Sequence, residues 1–397
     1  MKIVFVCQSF SENMGYISNC LPKSLAKLGH EVHVIAPTVQ GYFNYPNYKD
    51  TYEKFLGPPI VEPCVKEIDG YTLHRLPHKL YGIEAYYKRG LHKKLKTLDP
   101  DVVQTFAIES IVTWQVLFSK WRLGFKLFTA SHALRSVFPL ADQWSKMSVF
   151  KRFAWKIKHK WPGQFLTRFV QKVYYQTLDA QEIGIQFYGA HSAKSILESL
   201  GVDTDHFTPD SEIKGKLKEK HGFNSSDFVC IYTGRFSEGK NPLILAQAID
   251  ILAESHPNIK AYFIGEGPQK EQILSMKNCF THDFVKFQDL PEFYQLADIG
   301  VWPREESTSM LDAMSSGLPI IISNTVTAKE RTDGNGLTYI ENDPLDLSKQ
   351  IIKIQSDPEQ YEIMSKIGVD RIWNSFSWDN IAKKREAAYL KSLKNGM

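Results

Sequence analysis

Apolar residues recur along this chain in short runs separated by longer stretches with helical spacing. In the first half, these runs predict strands at 2–7, 31–35, 71–76, 102–106, 126–130 and 183–187. In the second half, they predict strands at 229–233, 260–264, 285–287, 299–302, 320–323 and 337–340. Helices are expected between them, including 21–28 and 192–200. Strands that are apolar on both faces and alternate with helices are typical of α/β domains with a doubly wound, parallel sheet.

The length of 397 residues exceeds what one compact core accommodates, so we expect two domains. A stretch containing Pro and Asp at 201–209 leads into a charged segment at 212–220 and indicates the boundary. We therefore expect one doubly wound domain at 1–207 and a second at 208–375. Residues 40–70, rich in Tyr, Pro and Gly, are expected to form a long loop or insertion.

A basic loop follows the first predicted strand of the second domain. The strand ends at Gly234, and Arg235 and Lys240 follow. A helix is then expected to start, with Asn241 as its cap and Pro242 in its first position. In such a strand–loop–helix unit, free N–H groups and the positive end of the helix dipole face the loop. The pattern predicts an anion site, most simply for phosphate; the alternative is an ordinary turn with two solvated basic residues.

A second motif follows a later strand of the same domain. Two carboxylates, Glu305 and Glu306, precede a helix that Ser307 or Thr308 is expected to cap. That helix carries Asp312. Carboxylates accept hydrogen bonds from hydroxyl groups, so a ligand with an anionic middle and polyhydroxyl ends, such as a nucleotide sugar, fits both motifs. The alternative, capping carboxylates, explains Glu305 and Glu306 better than it explains Asp312.

Three further loops lie where open α/β sheets bind ligands, beyond the carboxyl ends of strands. Gly15 precedes the first helix, His132 follows the strand at 126–130, and Gly265 and Gly267 form a tight turn. Each also has a plain structural explanation, namely turn chemistry for the glycines and a structural role for the histidine. The chain lacks a GxGxxG motif, so a nicotinamide-type dinucleotide site has no fingerprint here.

Residues 144–175 combine basic and aromatic side chains, and no acidic residue occurs from 143 to 176. A basic helical segment with interleaved aromatics is typical of a surface that lies on an anionic membrane. It is equally suited to hold a phosphate-bearing acceptor. The alternative is a solvated basic face over an ordinary aromatic core.

Composition narrows the class of protein further. The formal net charge of +4 does not indicate a nucleic-acid-binding protein. Five scattered cysteines without CxxC spacing argue against a disulfide framework or a zinc site. The N-terminal apolar run is too short for a signal peptide, and no run reaches the roughly 18 residues of a membrane helix. We expect a cytoplasmic protein, with the inner face of the membrane as an open alternative.

Several motifs, in order along nearly the whole chain, resemble those of the retaining glycosyltransferases of family 4, the glycosyl transferases group 1. They are Ala-Lys-x-Gly-His-Glu-Val at 26–32, Gly-Val-Asp-Thr-x-x-Phe-x-Pro at 201–209, Gly-Arg with Lys at 234, 235 and 240, Gly-x-Gly-Pro at 265–268, and Leu-Pro-x-x-Tyr-x-x-Ala-Asp at 290–298. The last is Glu-Ala-Met-x-x-Gly-x-Pro at 312–319, in which Asp312 replaces the Glu. The resemblance implies the GT-B fold, in which two doubly wound Rossmann-like domains face each other across a cleft, the first on the acceptor side. It also implies that 376–397, which begin with Phe-Ser-Trp, contain a helix returning to the first domain.

The resemblance also implies roles for individual residues. Arg235 and Lys240 would bind the donor diphosphate and stabilise the leaving group, and Asp312 would hold the ribose. Glu305 or Glu306 would contact the donor sugar. The implied catalytic set is Arg235, Lys240, Glu305 and His132, with His132 at the donor–acceptor junction.

The remaining donor contacts come from backbone and turn positions. The amides of Ser309 and Met310 would touch phosphate or sugar, and Gly15 would line the donor phosphate from the first domain. The implied donor-binding set also contains Gly234, Gly265, Gly267 and Leu290.

One departure affects the first acidic position. The family usually places seven residues between its two acidic positions, and eight back from Asp312 lies Arg304. Glu305 leaves six residues between and Glu306 leaves five. The loop is therefore expected to be shortened or rearranged, and the choice between Glu305 and Glu306 stays open.

These features predict transfer of a hexosyl or N-acetylhexosaminyl group from a UDP- or GDP-linked donor to a hydroxyl acceptor, with retention. The expected setting is bacterial surface glycan or lipid-linked glycan assembly, with a glycan or a lipid-linked or phosphate-bearing acceptor. No metal or other cofactor is expected, and no nucleic-acid partner. A GT-B-like binding subunit without turnover and a nucleotide-sugar epimerase stay open as alternatives.

Overall fold

The structure, a computed structural model, describes residues 1–46, 48–82, 84–132, 138, 140–304, 307–326 and 332–395. The chain divides into two compact units. The first contains residues 1–200 together with 381–397, and the second contains 201–380.

The first unit is built on an eight-stranded sheet. Its strand order is β10-β9-β8-β7-β1-β2-β4-β3, and every pairing is parallel except that of β3 with β4. A separate hairpin pairs β5 with β6. The strands are β1 (Lys2–Val6), β2 (Glu31–Pro37), β3 (Val65–Ile68), β4 (Tyr71–Leu76), β5 (His78–Tyr81), β6 (Glu84–Tyr87), β7 (Val102–Thr105), β8 (Lys126–Ser131), β9 (Val173–Tyr175) and β10 (Ser195–Leu197).

Helices connect these strands because parallel pairing needs long crossovers. They are α1 (Ile17–Lys27), α2 (Tyr48–Thr51), α3 (Glu53–Leu56), α4 (Leu91–Leu98), α5 (Ile111–Leu123), α6 (Leu140–Gln143), α7 (Val149–Trp155), α8 (Trp161–Arg168) and α9 (Leu178–Gln186). A π-helical segment, Lys156–Lys160, joins α7 to α8 without a break.

The second unit has a six-stranded, all-parallel sheet in the order β13-β12-β11-β14-β15-β16. Its strands are β11 (Phe228–Thr233), β12 (Ile259–Ile264), β13 (Cys279–His282), β14 (Ile299–Trp302), β15 (Ile320–Ser323) and β16 (Gly336–Tyr339). Its helices are α10 (Lys214–Lys220), α11 (Leu243–Leu252), α12 (Lys270–Leu274), α13 (Leu290–Leu296), α14 (Ser309–Ser315), α15 (Pro344–Gln355), α16 (Pro358–Arg371) and the start of α17 (Trp378–Lys394). The central strands are buried on both faces, which explains their continuous apolar runs.

The boundary between the units falls after Leu200, seven residues before the position expected from the sequence. Val202 and Phe207 belong to the apolar core of the second unit. Val202 also bridges to the segment before α17, since its N–H donates to the Phe376 carbonyl at 2.8 Å. The Pro- and Asp-rich stretch is therefore packed structure of the second unit rather than a linker.

Most of α17 belongs to the first unit, where Arg385 is buried. Its guanidinium pairs with the Glu198 carboxylate at 2.5 Å and donates to the Gln104 side chain on β7 at 2.9 Å. The guanidinium also lies over the ring of Tyr174 at 3.2 Å from the centroid. A buried charge is tolerated only when it is paired and hydrogen-bonded, so this network fixes the helix against the sheet.

Three local predictions were wrong. The region at 183–187 lies largely in α9, because the Thr177 hydroxyl caps that helix by accepting from the Ala180 N–H at 3.2 Å. The region at 192–200 contains β10, whose pairing with β9 is a long-range contact. The region at 285–287 forms no strand, because its last residue begins a 3-10 turn, Phe287–Asp289, and the sheet is extended instead by β13. None of the helices in the described ranges combines the length and the apolar composition that a membrane span requires.

Candidate functional site

The strand order of the second unit locates its ligand-binding edge. Strands β12 and β13 extend the sheet on one side of β11, and β14, β15 and β16 extend it on the other. The order therefore reverses between β11 and β14, and open α/β sheets bind ligands beyond the carboxyl ends of strands at such a point. The loop after β11 carries Arg235 and Lys240, and the loop after β14 leads to Asp312.

Backbone hydrogen bonds join the loop after β11 to the turn after β12. The Gly234 N–H donates to Ile264 O at 3.0 Å, and the Phe236 N–H donates to Glu266 O at 2.9 Å. The Gln269 N–H returns to Phe236 O at 3.1 Å. The two loops consequently form one rigid element rather than two separate turns.

This close approach explains the glycines of the turn. A Cβ at Gly265 would lie 2.0 Å from Gly234 O, and a Cβ at Gly267 would lie 2.5 Å from Phe236 O. Both glycines also have positive φ, +143° and +155°. Only glycine combines that backbone conformation with a contact so short.

Arg235 is exposed at the start of the basic loop, and Lys240 at its end is half-buried. The backbone of Arg235 is held in place because the buried Tyr232 hydroxyl donates to its carbonyl at 2.9 Å. Both cations lie on the loop that precedes α11, as the sequence predicts.

The predicted cap of α11 was wrong. The helix begins at Leu243, one residue later than expected, and Asn241 has φ +47°. The Asn241 side chain donates instead to the Asn342 side-chain Oδ1 at 3.2 Å and accepts from the Gln269 side chain at 3.4 Å. It therefore ties the basic loop to its neighbours rather than capping the helix.

Arg304 is a member of this site that the sequence did not identify as such. Its Nη1 donates to the Glu238 carbonyl at 3.1 Å, and its Nε lies 3.1 Å from the Glu341 carboxylate. Arg304 thereby connects the loops that follow β11, β14 and β16. At this position, where the resembling family has an acidic residue, the chain has a cation that braces the basic loop.

The helix after β14 begins at Ser309, with Thr308 at its N-cap position but without a capping bond from the Thr308 side chain, and the Ser307 hydroxyl accepts from the Ser309 N–H at 3.4 Å. The Met310 N–H donates to Ser307 O at 3.3 Å, and the Met310 side chain is buried in the core. The two amides expected to contact the donor are therefore engaged in long bonds to the same turn. The carboxylates expected ahead of this helix, Glu305 and Glu306, lie outside the described residues.

Asp312 is half-buried on α14, on the same unit as the basic loop. Burial, with the nearby Asp312 carboxylate, raises the pKa of the Tyr294 phenol well above its usual range. The Tyr294 hydroxyl is hydrogen-bonded to the Thr233 hydroxyl at 2.8 Å, and the Trp302 indole donates to Thr233 O at 3.2 Å. The ends of β11 and β14 are thus joined through buried polar contacts. Leu290, at the start of α13, is half-buried and packs against the core.

In the first unit, the strand order reverses between β1 and β7. Gly15 lies in the loop after β1, half-buried and two residues ahead of α1. The Asn19 side chain holds that loop by donating to Ser11 O at 2.9 Å. Gly15 is therefore placed at the carboxyl edge of this sheet, as the sequence predicts.

His132 follows β8 at the same edge. Its ring contacts the Gln176 side chain, which follows β9. The side chain keeps part of its surface exposed, but the surrounding protein and the positive charge of Arg385 lower the pKa of His132 to about 4. At neutral pH the imidazole is uncharged, so it offers hydrogen bonds rather than a positive charge.

Glu109 is a polar residue of this edge that the sequence analysis did not single out. It follows β7, is exposed, and accepts from the Ser131 hydroxyl at 3.3 Å. The sequence signal that could have identified Glu109 is its position, since it is a carboxylate that follows a buried strand by a few residues. Among the residues that the structure describes, no group of three or more His, Cys, Asp or Glu side chains could hold a metal ion.

The comparisons with known proteins agree with this architecture. Residues 213–371 match the family model described as Glycosyl transferases group 1. Two solved structures overlap nearly the whole chain at 16% identity. They are a glycosyltransferase from Rickettsia africae ESF-5, with TM-score 0.68 over 99% of each chain, and Anabaena Alr3699/HepE in complex with UDP, with TM-score 0.65 over 99% of this chain and 100% of that one. The fold of the chain is GT-B.

Two relatives that are similar in sequence are also glycosyltransferases. Alpha-monoglucosyldiacylglycerol synthase of Acholeplasma laidlawii is 25% identical over 391 residues, covering 93% of this chain and 91% of that protein. The UDP-Gal:alpha-D-GlcNAc-diphosphoundecaprenol alpha-1,3-galactosyltransferase of Escherichia coli is 28% identical over 264 residues, covering 62% of this chain and 66% of that protein. Together the matches support a glycosyltransferase of the glycosyl transferases group 1 family.

Proposed function

We propose that this chain transfers a hexosyl or N-acetylhexosaminyl group from a UDP- or GDP-linked donor to a hydroxyl acceptor, with retention of the anomeric configuration. The observation that carries the proposal is the rigid pair of loops after β11 and β12, which presents Arg235 and Lys240 at the point where the sheet order reverses.

The chemical demand is to stabilise a departing nucleoside diphosphate while positive charge develops on the sugar. A guanidinium and an ammonium on the loop that leads into α11 supply a positive field of the required sign. Because hydrogen bonds already fix the loops, little reorganisation is needed when the charge develops. One preorganised donor of this kind is worth roughly 2.7–4 kcal/mol.

The hydroxyl-rich end of the donor calls for acceptors of hydrogen bonds. We assign Asp312 to the nucleotide ribose, since it lies on the same unit as the two cations. Glu305 or Glu306 is proposed to contact the donor sugar, with Leu290 and the turn at Gly265 beside the nucleotide.

For the acceptor we propose a lipid-linked or phosphate-bearing glycan, handled by the first unit at the inner face of the membrane. The names of the two relatives described above contain diacylglycerol and diphosphoundecaprenol, which supports a lipid-linked acceptor. Gly15 and the uncharged His132 are the proposed contacts of that unit with the reacting groups.

The test starts with a thermal-shift screen of the full chain against UDP- and GDP-linked sugars, because a ligand of the folded state raises its stability. With the donor so found, Arg235→Ala and Lys240→Ala are expected to lower kcat by about 10²–10³-fold. The matched control is Lys353→Ala, which removes an exposed lysine near the end of α15 and should leave kcat unchanged. Near-normal turnover in both site variants would refute the mechanism.

The same preparation distinguishes the alternatives. Donor incubated alone would yield a new sugar isomer if the chain were an epimerase. Binding without hydrolysis or transfer would indicate a binding subunit. Retention is tested by the anomeric configuration of the product, and an inverted product would overturn that part of the proposal.

A further inference from the structure

The basic aromatic segment of the first unit is one continuous helix from 149 to 168, through α7, the π-helical segment and α8. One side of it packs on the unit: the Trp155 indole donates to Phe187 O at 3.1 Å, and Leu166 is fully buried. A second set of its apolar side chains points away from the protein. Phe150 is 79% exposed and Phe153 is 50% exposed. The aromatic residues of this segment are therefore not simply core.

The exposed apolar residues of the helix form a stripe. Phe150, Phe153, Ile157 and Trp161 follow one another at intervals of three or four residues, which places them on one side of a helix. Phe153 and Trp161 are in edge contact, with ring centroids 5.8 Å apart. Trp161 is 49% exposed even so.

A neighbouring helix extends this stripe. On α5, Phe118 is exposed and contacts Trp121, with ring centroids 5.3 Å apart. Trp121 in turn meets Phe165 of α8 at 6.3 Å. We call the resulting surface the outer aromatic face, formed by Phe118, Trp121, Phe150, Phe153, Ile157, Trp161 and the exposed Phe165, which follows Trp161 by four positions and joins the two helices. Exposed apolar surface that is contiguous across two elements marks an interaction site in a folded protein.

Lysines flank the stripe on both sides. Lys151 and Lys158 each follow a stripe residue by one position, and Lys156 and Lys160 each precede one. One position along a helix turns roughly a quarter of the way around its axis, so these ammonium groups border the apolar residues rather than interrupt them.

Basic residues are concentrated in the part of the sequence that contains this helix. Residues 110–177 contain twelve Lys or Arg and a single acidic residue, Asp142, although the whole chain has a formal net charge of only +4. The rest of the chain is therefore net acidic. Two copies of the outer aromatic face would bring their lysine borders together, so like-charge repulsion disfavours self-association through it.

We propose that the outer aromatic face docks on the surface of an anionic lipid bilayer. The aromatic side chains enter the boundary between headgroups and acyl chains, and the bordering lysines contact anionic headgroups. The face is formed within the first unit alone and needs neither donor nor acceptor. It thus stands independently of the donor chemistry proposed above.

The test is flotation of the full chain with vesicles of phosphatidylcholine alone or of equal parts phosphatidylcholine and phosphatidylglycerol. The wild type should float with the anionic vesicles only. Replacing both Phe150 and Phe153 with Ser should lower the partition coefficient by roughly tenfold or more, because burial of even one phenylalanine side chain contributes a factor of that size. Lys151→Gln with Lys158→Gln should lower it by roughly 25-fold, at about fivefold for each lysine near an anionic surface.

A matched control is Trp373→Ser, which removes an equally exposed aromatic side chain from the second unit and should leave flotation unchanged. Thermal unfolding of each variant establishes that it is folded. The proposal is overturned if the wild type stays at the bottom of the gradient with anionic vesicles. It is also overturned if lipid-free wild type is a dimer that the Phe150 and Phe153 changes dissociate, because the face would then bind a second copy. Donor binding measured on the same samples is unaffected in either case.

Discussion

Replacing Gly265 with alanine should destabilise the second unit and weaken nucleotide binding together. The added Cβ would lie 2.0 Å from Gly234 O, whereas real Cβ contacts are essentially never shorter than 3.0 Å. The Gly234 carbonyl must therefore move by about an ångström. The N–H of the same residue, however, is held by its hydrogen bond to Ile264 O at 3.0 Å. The shift displaces the start of the basic loop, where Arg235 is held.

The cost has two parts. Overpacking of a fitted contact costs about 1–3 kcal/mol. An alanine in a backbone conformation with positive φ costs roughly another 1–2 kcal/mol, and Gly265 has φ +143°. The sum is about 2–5 kcal/mol, which for a unit of this size lowers Tm by about 2–4 °C per kcal/mol.

Gly222→Ala is the matched control. Gly222 belongs to the same unit and has φ +82°, but a Cβ added there meets no atom within 4 Å. It should show the backbone cost of about 1–2 kcal/mol and no change in Kd for UDP. Scanning calorimetry and UDP titration of the full chain measure both effects. If Gly265→Ala has the same Tm as Gly222→Ala and the same Kd for UDP as the wild type, the reasoning from the close approach is refuted.

Three further predictions concern single residues. Asp312→Asn should weaken UDP by about 10–150-fold, the value of a hydrogen bond to a charged group, while the Kd of inorganic pyrophosphate stays unchanged; equal losses for both ligands would contradict the ribose assignment. Arg304→Ala should raise the donor KM by about two- to fivefold with little effect on kcat, because its exposed ion pair contributes about 0–1 kcal/mol, and a hundredfold loss of kcat would instead place Arg304 on the leaving group. His132 has its pKa lowered to about 4 by burial and Arg385, so the unfolded chain binds more protons between that value and about 6.5, and the free energy of unfolding should fall as the pH drops through this range. Urea unfolding of His132→Gln should show a shallower pH dependence there, and an unchanged slope would contradict the lowered pKa.

The alternation of strands and helices in the second unit was predictable because its strands are buried on both faces. The predicted strands at 299–302 and 320–323 coincide with β14 and β15. The region at 183–187 misled for a physical reason: a short apolar run fits a strand or a helix equally well, and the Thr177 cap decided for the helix.

The site was predictable to the extent that it is local in sequence. The basic loop and the glycine turn could be read from their residues, since strand–loop–helix units place them at the carboxyl edge of the sheet. Their fusion into one element could not, because it depends on contacts between residues some 30 positions apart, such as Phe236 with Glu266. The same is true of Arg304, whose partner Glu341 is distant in the sequence.

The outer aromatic face shows the same limit. The composition of 144–175 was evident from the sequence, but its alternative, an ordinary aromatic core, could be judged only from exposure. The contribution of Phe118 and Trp121 depends on how α5 packs beside α8. No local pattern encodes that packing.

The central claim is that the loop from Gly234 to Lys240 binds the diphosphate of a nucleotide. Its most direct test is calorimetric titration of UDP into the full chain and into the Arg235→Ala, Lys240→Ala double variant at physiological salt. Two charge-assisted hydrogen bonds of about 1.5–3 kcal/mol each predict a Kd at least roughly 100-fold weaker in the variant. The same Kd in both proteins, with the variant folded, would contradict the account.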